Sequence, residues 1–130
     1  MTREPVFLTV GEVLEAHEVL IETFGGTHGL RDAGGLDSAL AMPQQSFGGE
    51  FVHRDLYEMA AAYAFHVSQA QAFLDGNKRT AVTAALAFLE MNGIHVHDPQ
   101  QQLLAAMLAV ADHKLDKAGL AAVLKELAAK

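Results

Sequence analysis

Between two alanine-rich apolar stretches, residues 73–79 read Phe-Leu-Asp-Gly-Asn-Lys-Arg. This short polar interruption constrains the fold more than any other segment. The helical spacing on either side predicts two core helices, one ending near Ala70 and one starting near Lys78, with Gln71–Asn77 as a loop on a rigid mount. A helix start leaves several backbone N–H groups unpaired and carries partial positive charge, so an anion is favoured there. Lys78 and Arg79 add full charges, and Gly76 and Asn77 tolerate the tight turn. Asp75 then suits a magnesium ion riding on a bound phosphate, because magnesium takes one or two carboxylates plus substrate oxygens. Asp-Gly-Asn alone is also an ordinary turn signal, and Lys-Arg an ordinary solvated pair.

The rest of the chain reads as helices separated by turns. Phe7-Leu8 suggests a short strand. Thr9 and Glu12 form a capping box ahead of Val10, Val13, Leu14, His17, Leu20 and Ile21 at helical spacing, with Gly25-Gly26 as the stop. Thr27 to Gly35 is polar and glycine-punctuated, and Leu36 to Met42 reads as a short helix closed by Pro43. The glycines of Ser46-Phe47-Gly48-Gly49-Glu50-Phe51 predict a tight hairpin. Asp55 and Glu58 cap a helix whose stripe is Leu56, Met59, Ala60, Tyr63, Ala64 and Val67. Beyond the loop, Val82, Ala85, Leu86 and Leu89 point inward up to Met91, and Asn92-Gly93 closes the helix. Ile94–His97 suggests an extended piece, Asp98-Pro99 the start of a helix ending near Asp112, and Asp116 the start of a last helix reaching Lys130. In that helix Leu120, Val123, Leu124 and Leu127 fit either core or a partner surface.

Composition narrows the function. The 130 residues are 51% apolar with three prolines, sufficient for one folded domain, 1–130. Abundant alanine and leucine with 7% aromatics favour an all-α (mainly α) bundle. The absence of cysteine excludes disulfides and thiolate metal sites. A formal charge of −7 disfavours direct nucleic-acid binding. Apolar runs are too short for a membrane span, and no leading segment resembles a signal peptide, so a cytoplasmic location is expected.

Phe73, Asp75, Gly76, Asn77 and Arg79 match His-x-Phe-x-Asp-Gly-Asn-x-Arg, and the chain resembles the Fic/Doc family over essentially its whole length. Gly29-Leu30-Arg31-Asp32 and Phe47-Gly48-Gly49-Glu50 extend the likeness. Lys78 stands where most adenylyl-transferring members carry glycine, which is similar to the Doc (death-on-curing) branch. The resemblance implies a compact helical bundle with a small β-hairpin flap at Phe47–Glu50 that aligns the target segment. It implies a toxin, countered by a Phd-like antitoxin whose C-terminal segment folds on it, that moves the γ-phosphoryl group of ATP to a threonine of elongation factor Tu and halts translation. Asp75 through magnesium, with Gly76, Asn77, Lys78 and Arg79, would hold the nucleotide, and Phe73 would anchor the loop. Where the family carries its catalytic histidine this chain has Gln71, whose amide can hydrogen-bond a hydroxyl but cannot accept its proton. A natural member with altered chemistry and a deliberate inactivating substitution both fit that residue. Transfer of AMP, and a non-catalytic protein that holds nucleotide or antitoxin, remain the other readings.

Other candidates are weaker. His95-x-His97-Asp98 lacks a third metal ligand and suits an exposed strand. His66 reads as a hydrogen-bonded core histidine and His53 as a surface loop residue. Ser46-x-x-x-Glu50 approaches the inhibitory helix motif of many Fic proteins, but its two glycines oppose a helix.

Overall fold

The computed structural model describes residues 4–129. Six helices follow in order: α1 Val10–Phe24, α2 Ala33–Ala41, α3 Leu56–Ala70, α4 Asn77–Met91, α5 Gln102–Ala111 and α6 Lys117–Ala128. A two-stranded antiparallel hairpin, β1 Ser46–Phe47 and β2 Glu50–Phe51, lies between α2 and α3. The fold is mainly α.

Helix α3 is the axis of the bundle, packing most extensively on α4, then on α6 and α2. Met59 to Ala64 are all buried, so α3 is enclosed on nearly every side rather than along the single stripe its spacing suggests. Alanine explains the difference, since a methyl fits against any neighbour and lets the surrounding helices approach closely. On α4 the buried face is Ala81, Ala84, Ala85, Phe88 and Leu89, while Val82 and Leu86, expected inward, are half-buried. Tyr63, Phe73 and Phe88 are the largest fully buried side chains, each worth roughly 1.5–3 kcal/mol of apolar burial. Leu120, Leu124 and Leu127 of α6 are buried and complete the core.

Local signals set most boundaries. Thr9 Oγ1 accepts from Glu12 N at 3.1 Å while Glu12 Oε1 accepts from Thr9 N at 2.8 Å, the reciprocal capping box. Asp55 caps α3 through Glu58 N, and Asp116 caps α6 through Gly119 N, both at 2.8 Å. Gly48 and Gly49 take φ of +62° and +83°, which lets the hairpin turn in two residues.

Several expected elements are corrected. Phe7-Leu8 forms no strand: Leu8 N donates to Tyr63 Oη at 3.0 Å and the Phe7 ring stacks on Phe88 at 5.6 Å. Helix α2 starts before Leu36, because Asp32 accepts from Gly35 N at 2.8 Å and nucleates it across the glycines. Residues 94–97 are not paired as a strand, and Ile94 N instead closes onto Leu89 O at 2.9 Å. Helix α5 begins at Gln102, since Asp98 accepts from Gln102 N and Leu103 N at 2.7 and 2.9 Å while Pro99 sits in the preceding turn. Helix α6 ends at Ala128, and Lys130 lies outside the described residues.

Candidate active site at the start of α4

Helix α3 ends at Gln71, whose backbone is left-handed at φ 51°, ψ 40°. Asparagine, aspartate and histidine are the non-glycine residues most enriched in that conformation, so position 71 accommodates an imidazole as readily as an amide. The Gln71 side chain is exposed, and the backbone carbonyl of Gln71 accepts from the Arg31 guanidinium.

The next residues are pinned from two directions. Arg31 N and Asp32 N donate to Ala72 O at 2.7 and 3.0 Å, and Leu74 N donates to Gly29 O at 3.1 Å. The turn after α1 therefore pairs with the loop as a miniature antiparallel bridge, Leu30 opposite Phe73. Within the loop, Phe73 N donates to Asn77 Oδ1 and Asn77 Nδ2 donates back to Phe73 O, each at 3.0 Å. Asn77 is thus a clamp on Phe73, whose ring is buried in the core as the expected anchor.

Asp75 is exposed and oriented by backbone alone. Thr27 N reaches its Oδ2 at 3.2 Å and Gly76 N its Oδ1 at 3.0 Å, leaving further lone pairs outward. A Cβ on Gly26, at φ +120°, would lie 2.7 Å from Asp75 Oδ2, so only glycine lets the two loops meet there. Gly76 begins α4 in the left-handed region with no side-chain cap, and the first-turn N–H groups have no capping side chain. An oriented carboxylate beside an uncapped helix start is a donor set that fits magnesium and phosphate together.

The two cations differ. Lys78 is half-buried and forms no salt bridge among the described residues. The Arg79 guanidinium lies over the Phe24 ring, 4.1 Å from its centroid, and lines a cavity of about 180 Å³ with Leu20, Val82 and Asp98.

His17 is the residue that sequence reasoning missed as part of the site. It is 3% exposed, stacks on Phe73 at 3.8 Å and 12°, and its Nε2 lies 2.8 Å from Asp75 O. A carbonyl can only accept, so Nε2 carries the hydrogen. Helical spacing marks His17 as inward, but nothing local says that it meets residue 75.

The flap residues Phe47, Gly48, Gly49 and Glu50 are exposed, and Phe47 is the most exposed large apolar side chain at 86%. Ser46 and Glu50 lie in the two strands and not on a helix. His95 Nδ1 pairs with Glu90 Oε2 at 3.0 Å. His66 is half-buried with Nε2 3.1 Å from Lys117 Nζ, a hydrogen-bonded ring as expected. His53 corrects its expectation: it is 5% exposed, buried under α3 and α6 instead of lying on the surface. Among the described residues no helix is long and apolar enough to cross a membrane.

The Fic/DOC family matches this chain over residues 7–89. The chain is 34% identical over 87 residues to the protein named "Protein kinase doc" of Escherichia phage P1, spanning 67% of this chain and 68% of that protein. It is 40% identical over 88 residues to the protein named "Toxin Doc" of Mycolicibacterium smegmatis, spanning 65% and 68% respectively.

Proposed function

The chain belongs to the Fic/DOC family, and from that premise we propose that it is the toxin of a toxin–antitoxin pair, built to transfer the γ-phosphoryl group of ATP to a threonine or serine hydroxyl of elongation factor Tu. The observation that carries this reading is the uncapped start of α4 beside the oriented Asp75 carboxylate. Phosphoryl transfer asks mainly for positioning and charge neutralisation, with little covalent chemistry from the protein. The first-turn N–H groups and Lys78 would receive the phosphates, and Asn77 holds Phe73 so that the loop keeps its shape. Asp75 would hold magnesium, which when bound neutralises phosphate charge. Arg79, drawn over Phe24, would serve the phosphates only after leaving that ring. The exposed Phe47–Glu50 hairpin would align the target segment, and a Phd-like antitoxin would silence the toxin in the cytoplasm.

Gln71 supplies no base. Its αL backbone presents the side chain at the loop, but a carboxamide accepts no proton from an attacking hydroxyl. We expect nucleotide binding with strongly reduced turnover in this chain. A non-catalytic protein that holds nucleotide or antitoxin is the second reading, and Gln71 is the observation that favours it. Transfer of AMP is disfavoured by Lys78, whose side chain fills space that a glycine would leave to the nucleotide.

The test is transfer of label from γ-labelled and α-labelled ATP to purified elongation factor Tu by this chain and its Gln71→His variant. Transfer of γ label by the His variant alone is the expected result. Transfer of α label would establish AMP transfer instead, and no transfer by either protein, with ATP bound by both, would overturn the kinase reading in favour of the non-catalytic one.

A further inference from the structure

Helix α3 ends in a conformation that its own sequence does little to hold. Gln71 is left-handed, and a non-glycine residue in that region persists where its surroundings over-determine it. The last carbonyls of a helix lack intrahelical partners and carry partial negative charge, so a donor or a cation is favoured there. The last turn of α3 contains no basic residue of its own. The cation comes instead from Arg31, 40 positions earlier in the chain, whose guanidinium donates to the backbone carbonyl of Gln71. The Arg31 N–H donates to the next carbonyl, Ala72 O, at 2.7 Å. One residue thus holds two consecutive carbonyls at the bend between α3 and the nucleotide loop.

This arrangement is particular to position 71. Gln101 and His113 are the other left-handed non-glycine residues among those described, and Gln101 O takes only the ordinary helical bond from Ala105 N at 3.1 Å. Stability does not account for the contact. Arg31 is exposed and forms no salt bridge among the described residues, and a single solvent-screened surface contact contributes little to folding. Its effect is on direction. The ψ rotation at residue 71 sets the angle between that side chain and the Phe73–Asn77 loop, and Gln71 O is the atom that turns with ψ.

We infer that Arg31 is a positioning residue: by holding Gln71 O it sets the angle between the side chain at 71 and the nucleotide loop, while touching neither nucleotide nor target. The inference rests on the kinase reading above, in which residue 71 stands where the proton of the attacking hydroxyl must go. A displacement of about 1 Å at a reacting group can cost roughly a hundredfold in rate, so a contact nearly silent in stability is visible in turnover.

The test compares Gln71→His alone with Gln71→His carrying Arg31→Met or Arg31→Lys, all in the full chain. Methionine keeps an unbranched stem without donors, and the Arg31 N–H bond to Ala72 O survives both changes. Transfer of γ label to elongation factor Tu gives kcat, and titration gives magnesium–ATP affinity. Arg31→Met should lower kcat at least about tenfold, with ATP affinity within about twofold and Tm within about 2 °C. Arg31→Lys, which still offers a charged donor, should recover part of the lost turnover. A second readout needs no activity: the ¹⁵N heteronuclear NOE at residues 71 and 72 should fall when Arg31→Met is made in the parent chain. Undiminished kcat in Arg31→Met, a loss carried by ATP affinity, no recovery with lysine, or an unchanged NOE at residue 71 would each overturn the inference. If Gln71→His itself transfers no label, the kinase reading fails, and the NOE comparison still decides whether Arg31 holds residue 71.

Discussion

Replacing His17 with phenylalanine should separate the two ways in which α1 holds the Asp75 loop. The ring stacks on Phe73 at 3.8 Å, and its Nε2–H donates to Asp75 O at 2.8 Å. A phenyl group keeps the stack but is one ring atom larger than imidazole, so His17→Phe removes the hydrogen bond and adds slight crowding at a buried position. A net hydrogen bond is worth about 0.5–1.5 kcal/mol, and a stranded carbonyl costs about 1–3 kcal/mol. The bond joins a buried ring to an exposed residue and is itself part-buried, which places the loss at about 1 kcal/mol. For a chain of this size that lowers Tm by roughly 3–5 °C. His17→Ala also deletes a buried ring, for a loss of about 3 kcal/mol or more. If the bond sets the position of Asp75, His17→Phe should weaken magnesium-dependent ATP binding by roughly fivefold. Urea unfolding of the three proteins and ATP titrations with and without magnesium provide the readouts. A His17→Phe protein with parental stability and ATP affinity would refute the assignment of His17 as a positioning residue.

Other perturbations test neighbouring parts of the same frame. Gly26→Ala should cost about 1–3 kcal/mol for its positive φ and should selectively weaken ATP binding in magnesium, because the new Cβ would meet Asp75 Oδ2 at 2.7 Å; equal affinities with and without the methyl would contradict the close approach. Tyr63→Phe should lower the unfolding free energy by about 1–3 kcal/mol, seen as a lower urea midpoint with an unchanged m-value, since it strands the buried Leu8 N–H. Acid should loosen the α3–α6 contact. Burial first, then Lys117 and His53, hold the His66 pKa down to about 4 in the folded chain, against about 6.5 unfolded. The unfolded chain therefore binds the proton first, so this contribution is intact above about pH 6.5 and is lost as pH falls toward 4. Solvent screening at a half-exposed ring limits the effect to about 1 kcal/mol. His66→Gln should flatten that limb of the stability–pH curve, and an unchanged limb would assign the acid sensitivity elsewhere.

What the sequence made legible was local. The Thr9 and Asp55 caps, the Gly48-Gly49 turn and the Asp75–Arg79 string each state their geometry within a few residues, and each has the expected form. Contacts between distant segments were not legible. The bridge of Leu30 to Phe73 and the bond from His17 to Asp75 join residues more than forty positions apart, and periodicity carries no register between separate elements. Nothing local marks His53 as buried, since glycines and charges flank it, whereas it lies against residues of α3 and α6. The strands expected at Phe7-Leu8 and Ile94–His97 failed for a related reason. Alternating apolar residues need a partner edge, and here the Tyr63 hydroxyl and the Leu89 carbonyl take the backbone donors instead.

The geometry also separates holding a phosphate from activating a nucleophile. The proposed holding groups are the first-turn N–H groups of α4, the Asp75 carboxylate and Lys78, all on the α4 side of Phe73. Gln71 lies on the α3 side, and its links to the rest of the loop are made by backbone: its carbonyl accepts from Arg31, while Ala72 O takes Arg31 N and Asp32 N. Its side chain reaches only Ser68 O, at 3.4 Å. A change of side chain at position 71 therefore leaves the frame of the holding groups in place. Gln71→His should bind magnesium–ATP within about twofold of the parent while differing in turnover. A large change in affinity would mean that residue 71 shapes the nucleotide site, and the separation of the two tasks would fail.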